Sequence, residues 1–394
     1  MLGKFLLGAG QITCLALSLQ WTSALAEPIK LGSGFLLSPA LGMDLRYDDN
    51  INSSPDNPID SYLLVTNPSV LVEYDRGATV YSMQYALSHG NYLDGGRASY
   101  TDHALTAGAD WEISQRHSLT LGAAYLDIHE EFNDQVANDL DSLIFERDRY
   151  RESNLFATYG YGAEGARGHL DLTLGATDRN YLEEINSLDR RVPYLSALAS
   201  VNVGSNSALL GQLDARSIRY EPGINPLPDR DNREASLMLG GERETEQLTV
   251  LLLGGIVKKH FENTDIQDYQ RPRWIASVDW RPIEASELTF SAERRPVDSI
   301  ASVANYVDAI SGLLAWQHSW NEKVSSNTYF RYTKADFAGT GVEQDIRRWG
   351  LTVRYQFRPW MDIRTGISSL DQDANEEILG YERNQVFLGF DASY

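Results

Sequence analysis

The chain has 394 residues, of which 42% are apolar and 10% aromatic, and 55 acidic residues against 34 basic ones give a net charge of -21. That acidity argues against a nucleic-acid partner, and the apolar and aromatic content argues against a solvated, disordered chain. Past the first 26 residues the longest nearly apolar run is Leu248 to Val257, about half of the ~20 residues a membrane helix needs, so any membrane crossing must use strands.

Residues 1–26 read as a cleaved secretory signal: Lys4, an apolar stretch from Phe5 to about Leu19, and the small-x-small site Ala24-Leu25-Ala26. Cleavage removes one Lys and no acid, taking the charge from -21 to -22. It also removes Cys14, the only cysteine, so the mature chain has no disulfide or thiolate metal site to build. The expected organisation is a signal over 1–26, a short periplasmic segment over 27–37, and one β-domain over 38–394.

From there apolar and polar residues alternate with period two. In chain order, Met43, Leu45 and Tyr47 alternate with Asp44, Arg46 and Asp48; Tyr81, Met83, Tyr85 and Leu87 with Ser82, Gln84, Ala86 and Ser88; and Leu170, Leu172 and Leu174 with Asp171, Thr173 and Gly175. Trp274, Ala276, Val278 and Trp280 alternate with Arg273, Ser277, Asp279 and Arg281, and Trp349, Leu351, Val353, Tyr355 and Phe357 with Arg348, Thr352, Arg354 and Gln356. These segments run about ten residues or more, longer than the usual five or six of a soluble sheet and long enough for a tilted strand to cross a bilayer. Lipid tolerates only closed sheets, so the reading is an all-β, antiparallel, up-and-down transmembrane barrel with an outward apolar face and a polar lumen.

Connections alternate short and long. Short ones lie at Asp75–Gly77, Ser114–Ser118, Gly204–Ser207, Glu244–Glu246, Ile283–Glu287, Trp320–Lys323 and Arg358–Met361; long ones include Asp48–Asp60, His89–Ser99, His129–Phe145, Arg219–Asp231, His260–Gln270 and Asp371–Gly380. Short turns belong to the periplasmic side and long loops to the outside, and the count suggests about 18 strands, with 16 as the alternative. Trp111, Trp280, Trp316, Trp320 and Trp360 adjoin the short turns, while Tyr92, Tyr100, Tyr150, Tyr181, Tyr220, Tyr269 and Tyr306 crowd the long loops. Two interfacial aromatic girdles are therefore expected. The chain ends on Val386, Leu388, Phe390, Ala392 and Tyr394 at alternate positions, the pattern of a terminal strand that barrel-assembly machinery would recognise.

The segment from Ser38 to Ile51, with its Arg46-Tyr47-Asp48-Asp49-Asn50 strand end, and the later Asn67-Pro68-Ser69-Val70 resemble the opening of the beta-barrel porin type 2 family found with exopolysaccharide biosynthesis machinery. The resemblance implies an integral barrel of a Gram-negative outer membrane, taking part in export or production of an extracellular polysaccharide, with polysaccharide and periplasmic export proteins as partners beside outer-membrane lipid and lipopolysaccharide. It supplies no catalytic residue and no cofactor.

Strand parity turns Arg46, Arg273, Arg281, Arg295, Arg331, Arg348, Arg354 and Arg364 toward the lumen, since the opposite register would place each in hydrocarbon at about 2 to 4 kcal/mol near the midplane. They either line an anion path or pair with lumen acids such as Asp44, Asp110, Glu112, Glu293 and Asp391, and an acidic chain favours pairing. Asp48-Asp49-Asn50, His129-Glu130-Glu131 and Asp371-Gln372-Asp373 offer oxygen ligands near the outside, although solvated loops explain them as well and no metal is assigned. Gly160-Tyr161-Gly162-Ala163-Glu164-Gly165 fits a dinucleotide fingerprint, but a strand pattern follows where a helix is required, so it reads as a periplasmic turn. His103 and His318 have no serine constellation for hydrolysis, so a channel is expected and not an enzyme. A polysaccharide conduit, a general or selective small-solute porin, and a plugged structural barrel all remain open.

Overall fold

The computed structural model describes residues 28–32, 34–94, 99–129, 149–163, 165–182, 189–221, 229–298, 306–376 and 379–394; the expected signal lies outside them. A two-residue β1 (Ile29–Lys30) precedes β2 (Phe35–Asp48), β3 (Ser61–Asp75), β4 (Thr79–Tyr92), β5 (Tyr100–Ser114), β6 (His117–His129) and β7 (Arg149–Tyr161). There follow β8 (Gly168–Tyr181), β9 (Arg190–Asn202), β10 (Ser207–Tyr220), β11 (Asn232–Glu244), β12 (Leu248–Phe261) and β13 (Tyr269–Ile283). The last six are β14 (Ser286–Asp298), β15 (Tyr306–Ser319), β16 (Val324–Phe337), β17 (Val342–Arg358), β18 (Met361–Ala374) and β19 (Tyr381–Ser393).

Each strand from β2 onward pairs antiparallel with its sequence neighbours, and β19 returns to β2 from Gln385↔Asp48 to Ser393↔Ala40. The ring is thus a closed barrel of 18 strands, β2 to β19, matching the larger of the two expected counts. Closure leaves no unpaired edge, which is what lipid demands of a sheet. β1 folds back on β2 through Ile29↔Leu37 and Lys30↔Leu36. The first barrel strand therefore begins at Phe35, three residues earlier than the 38–394 boundary read from the sequence.

Burial is inverted relative to a soluble protein. Leu174, Leu239 and Leu388 are 62%, 63% and 60% exposed on the outer face, while Asp44, Gln212, Ser236 and Arg364 are at most 5% exposed inside. Hydrocarbon, not water, is the solvent that fits such a surface. Lumen aromatics also lie flat over glycines directly opposite in register: Tyr194 over Gly175, Tyr329 over Gly350 and Phe387 over Gly366. At Gly240 and Gly255 the neighbouring strand's backbone approaches so closely that a Cβ would sit 1.8 Å from the Leu252 or Leu237 carbonyl oxygen. β11 and β12 can meet there only because both residues lack a side chain.

Every short turn expected from the sequence lies at one end of the barrel, where β7 also meets β8. Bulges near the β5–β6, β13–β14 and β17–β18 turns twist that rim. The opposite end carries the long loops and one exception, the four-residue turn 338–341, where Gly339 and Gly341 adopt positive φ. Trp280, Trp320 and Trp360 are about half exposed at the short-turn end, as an interfacial girdle requires. The tyrosine girdle is corrected. Tyr92, Tyr150 and Tyr181 are buried on the inward parity of their strands, because proximity to a loop fixes height along the barrel but not the face. Guanidiniums cover them or their neighbours, Arg179 over Tyr150 at 4.3 Å and Arg230 over Tyr220 at 4.9 Å.

Candidate functional site

All thirteen residues expected in the lumen lie on the inward parity of their strands, and the structure divides them into groups. At the closing seam, Asp44 of β2 is wedged between two guanidiniums, Arg46 at 3.2 Å and Arg364 at 2.8 Å. Arg364 also reaches Asp391 at 2.8 Å, and Arg354 lies 3.0 Å from Asp362 and 3.9 Å from Asp391. Each arginine meets a carboxylate from another strand or from two residues away, so this is a structural lattice with its charges internally compensated.

A second group lies on β9 to β14. Arg273 contacts Asp214 at 3.0 Å and donates to Ser236, while Ser196 and Gln212 also donate to Asp214. Arg216 binds Glu234 at 3.0 Å, with Lys259 3.7 Å from the same carboxylate, and Arg295 lies 3.8 Å from Glu293. Ser196, Asp214, Arg216, Glu234, Arg273 and Arg295, with Asn154, Thr177 and Tyr194 of β7 to β9, line a recess in the lumen wall. Both signs of charge and several neutral hydrogen-bonding groups converge there, the composition of a site for a small polar solute.

Other candidates sit nearer the periplasm. Arg281 is exposed at that rim, bound to Glu287 at 3.1 Å, and belongs to the mouth. Asp110 accepts from Thr120 at 2.6 Å, and Glu112 is exposed beside the β5–β6 turn.

Arg348 differs from the others. It stands directly opposite Arg331 in the β16–β17 register. Both are largely buried, at 6% and 8% exposed, and Arg348 has no carboxylate partner among the described residues. Two adjacent guanidiniums repel, and the uncompensated one faces the lumen. Its surroundings include Tyr329 across Gly350 and Gln344 on the same strand face.

Sequence reasoning passed over Arg179, paired with Glu152 at 2.6 Å, and Arg383, which binds Asp48 together with Gln385. The same parity rule would have found both. The oxygen clusters are spoken for by protein. Asp49 accepts from Asn384, Asn50 donates to the Ser54 and Glu382 carbonyls, and Asp371 and Asp373 share Arg347 at 2.8 Å each. Glu130 and Glu131 lie outside the described residues.

Residues 211–394, spanning β11 to β19 and part of β10, match the family described as "Putative beta-barrel porin 2". The matched segment is slightly less than half of the chain. The fold is similar to that of solved structures from two bacteria. Pseudomonas aeruginosa OpdK with vanillate is 12% identical, with a TM-score of 0.51 over 91% of this chain and 99% of that one. OccK2 (OpdF) of the same organism, in complex with glucuronate, is 10% identical with a TM-score of 0.51 over 93% and 100%. Acinetobacter baumannii OccAB4 is 9% identical with a TM-score of 0.52 over 91% and 98%. No curated protein matches the chain. Arg331, Arg348, Arg354, Arg364 and Asp391 all fall within the matched segment.

Proposed function

We propose that this barrel is a substrate-selective channel for small acidic solutes of the size and chemistry of a sugar acid. The observation that carries the reading is Arg348, a buried guanidinium in the lumen wall with Arg331 beside it and no carboxylate partner among the described residues. Burying a cation without an anion is costly, and a passing carboxylate would relieve that cost and the repulsion between the two arginines. A planar guanidinium is also suited to bidentate carboxylate binding. The recess around Asp214, Arg273 and Tyr194 offers donors and acceptors for hydroxyl groups. Two channels of similar fold carry a carboxylate ligand in their structures, vanillate and glucuronate.

Export of an extracellular polysaccharide, which the sequence resemblance implies, gains no support from these relatives, and the small-solute alternative fits better. Proteoliposome swelling tests the proposal. A hexuronate should enter faster than a neutral hexose of equal size, and equal rates would remove the claim of selectivity for acids.

A further inference from the structure

The lumen charges also divide along the barrel axis, into an acidic periplasmic zone and a basic zone above it. Glu73 of β3, Asp110 and Glu112 of β5, and Glu242 and Glu244 of β11 stand on inward parity within the last five residues of their strands. None of these carboxylates is in an ion pair among the described residues. Asp171, at the same level, has the His169 imidazole 3.1 Å away, and Asp279 and Glu287 share Arg281. Lys30 of β1 is an inward base at this end and offsets one carboxylate. The turns below do not restore the balance. Arg76, Arg116, Arg167 and Lys323 are exposed there, but so are Asp75, Glu246, Glu284 and Glu322. Arg243 lies on the outward parity of β11, and Arg358 lies over the outward Phe357 ring.

From mid-height upward the sign reverses. Arg331 and Arg348 face each other, Lys259 joins Arg216 on a single carboxylate, Glu234, and Arg271 shares the inward parity of Arg273. Asp48, Glu152, Asp214 and Glu293 are each matched by one base, Arg383, Arg179, Arg273 and Arg295. The seam lattice is neutral, with Asp44, Asp362 and Asp391 against Arg46, Arg354 and Arg364. Arg190 and Asp102, both inward at the upper rim, offset each other in the sum.

We propose that the lumen is a bipolar junction, basic toward the outside and acidic toward the periplasm, that rectifies the ionic current through this barrel. Mobile anions gather in the basic zone and mobile cations in the acidic one. A voltage positive on the periplasmic side drives both toward the junction and fills it with carriers. The opposite voltage draws both away and empties it. Loop acids such as Asp56, Asp60 and Asp94 lie beyond the strands, where bulk electrolyte screens them over about 10 Å at 0.1 M salt. The asymmetry comes from net charge along the axis and needs no solute site, so it stands apart from the selectivity proposed above.

Single-channel current–voltage curves of the full barrel in symmetric potassium chloride test it. Gly204→Cys, in the exposed β9–β10 turn, takes a bulky impermeant maleimide from the periplasmic side alone and so reports the orientation of each channel. At about 0.1 M salt the current should be larger with the periplasmic side positive, and at about 1 M, where the Debye length falls to about 3 Å, the curve should become linear. E73Q/E112Q/E242Q/E244Q should keep its open-channel steps and lose the rectification at low salt. The milder E112Q/E244Q, at strand ends, should reduce it. A heat-shifted gel band checks that both variants are folded. A linear wild-type curve at low salt, a larger current with the periplasmic side negative, or rectification undiminished in either folded variant would each overturn the proposal.

Discussion

Arg348 and Arg354 sit on one strand face six residues apart, and the sequence treats them alike. The structure separates them: Arg354 is held by Asp362 and Asp391, whereas Arg348 meets no acid among the described residues. Parity, a property of a strand and its neighbours in sequence, was legible for both. Pairing was not, because the partners come from strands distant along the chain, as with Asp44 and Arg364 or Asp214 and Arg273. Asp44→Ala should remove the carboxylate wedged between Arg46 and Arg364 and cost about 3 to 5 kcal/mol, readable as a lower midpoint in urea unfolding from detergent micelles. Gly255→Ala should cost about 3 kcal/mol by forcing β12 away from β11, since the new methyl group would meet the Leu237 carbonyl. The same unfolding measurement checks it, and an unchanged midpoint would mean that the strands separate freely there.

Among the elements, β19 carries the closure, pairing β18 on one side and β2 on the other. Truncation from Gln385 should leave no heat-shifted form on a gel, because β2 and β18 would both be exposed as edges. Replacing Tyr394 by a polar residue separates the assembly role expected of Val386, Leu388, Phe390 and Tyr394 from closure itself. The ring would stay complete, and only the yield in the outer membrane should fall. The loop ends show how backbone groups are satisfied outside the ladder. Asp189, Asp231 and Asp268 each accept the amide N–H of a strand's last residue, Tyr181, Tyr220 and Phe261. For Asp268, donation by His260 and then by the Phe261 amide holds the carboxyl below its ordinary value. A depressed carboxyl stabilises the loop at neutral pH and loses that contribution as pH falls through the folded value. The Phe261 amide resonance should accordingly titrate below the usual Asp range, and a midpoint at or above that range would refute the contact. Nothing in the residue types around these loops announced such caps, since turn-rich segments contain many Asp residues that cap nothing.

The whole molecule was the most legible scale. A period-two pattern long enough to cross a bilayer, with short and long connections in alternation, leads to a closed barrel by hydrogen-bond arithmetic alone. Alternation of connection length broke only at 338–341, where two glycines with positive φ allow a tight extracellular turn. Facing at the rims was harder to read, and the inward Tyr150 and Tyr181 are the result. The functional account depends on Arg348, a lumen guanidinium with no carboxylate partner among the described residues, and single-channel recording in a planar bilayer addresses it directly. Wild-type protein should open in discrete steps, and added glucuronate should interrupt the current, while a neutral hexose should not. Arg348→Gln should keep the conductance steps and lose most of the glucuronate block. Absence of conductance, or block that survives Arg348→Gln unchanged, would contradict the account.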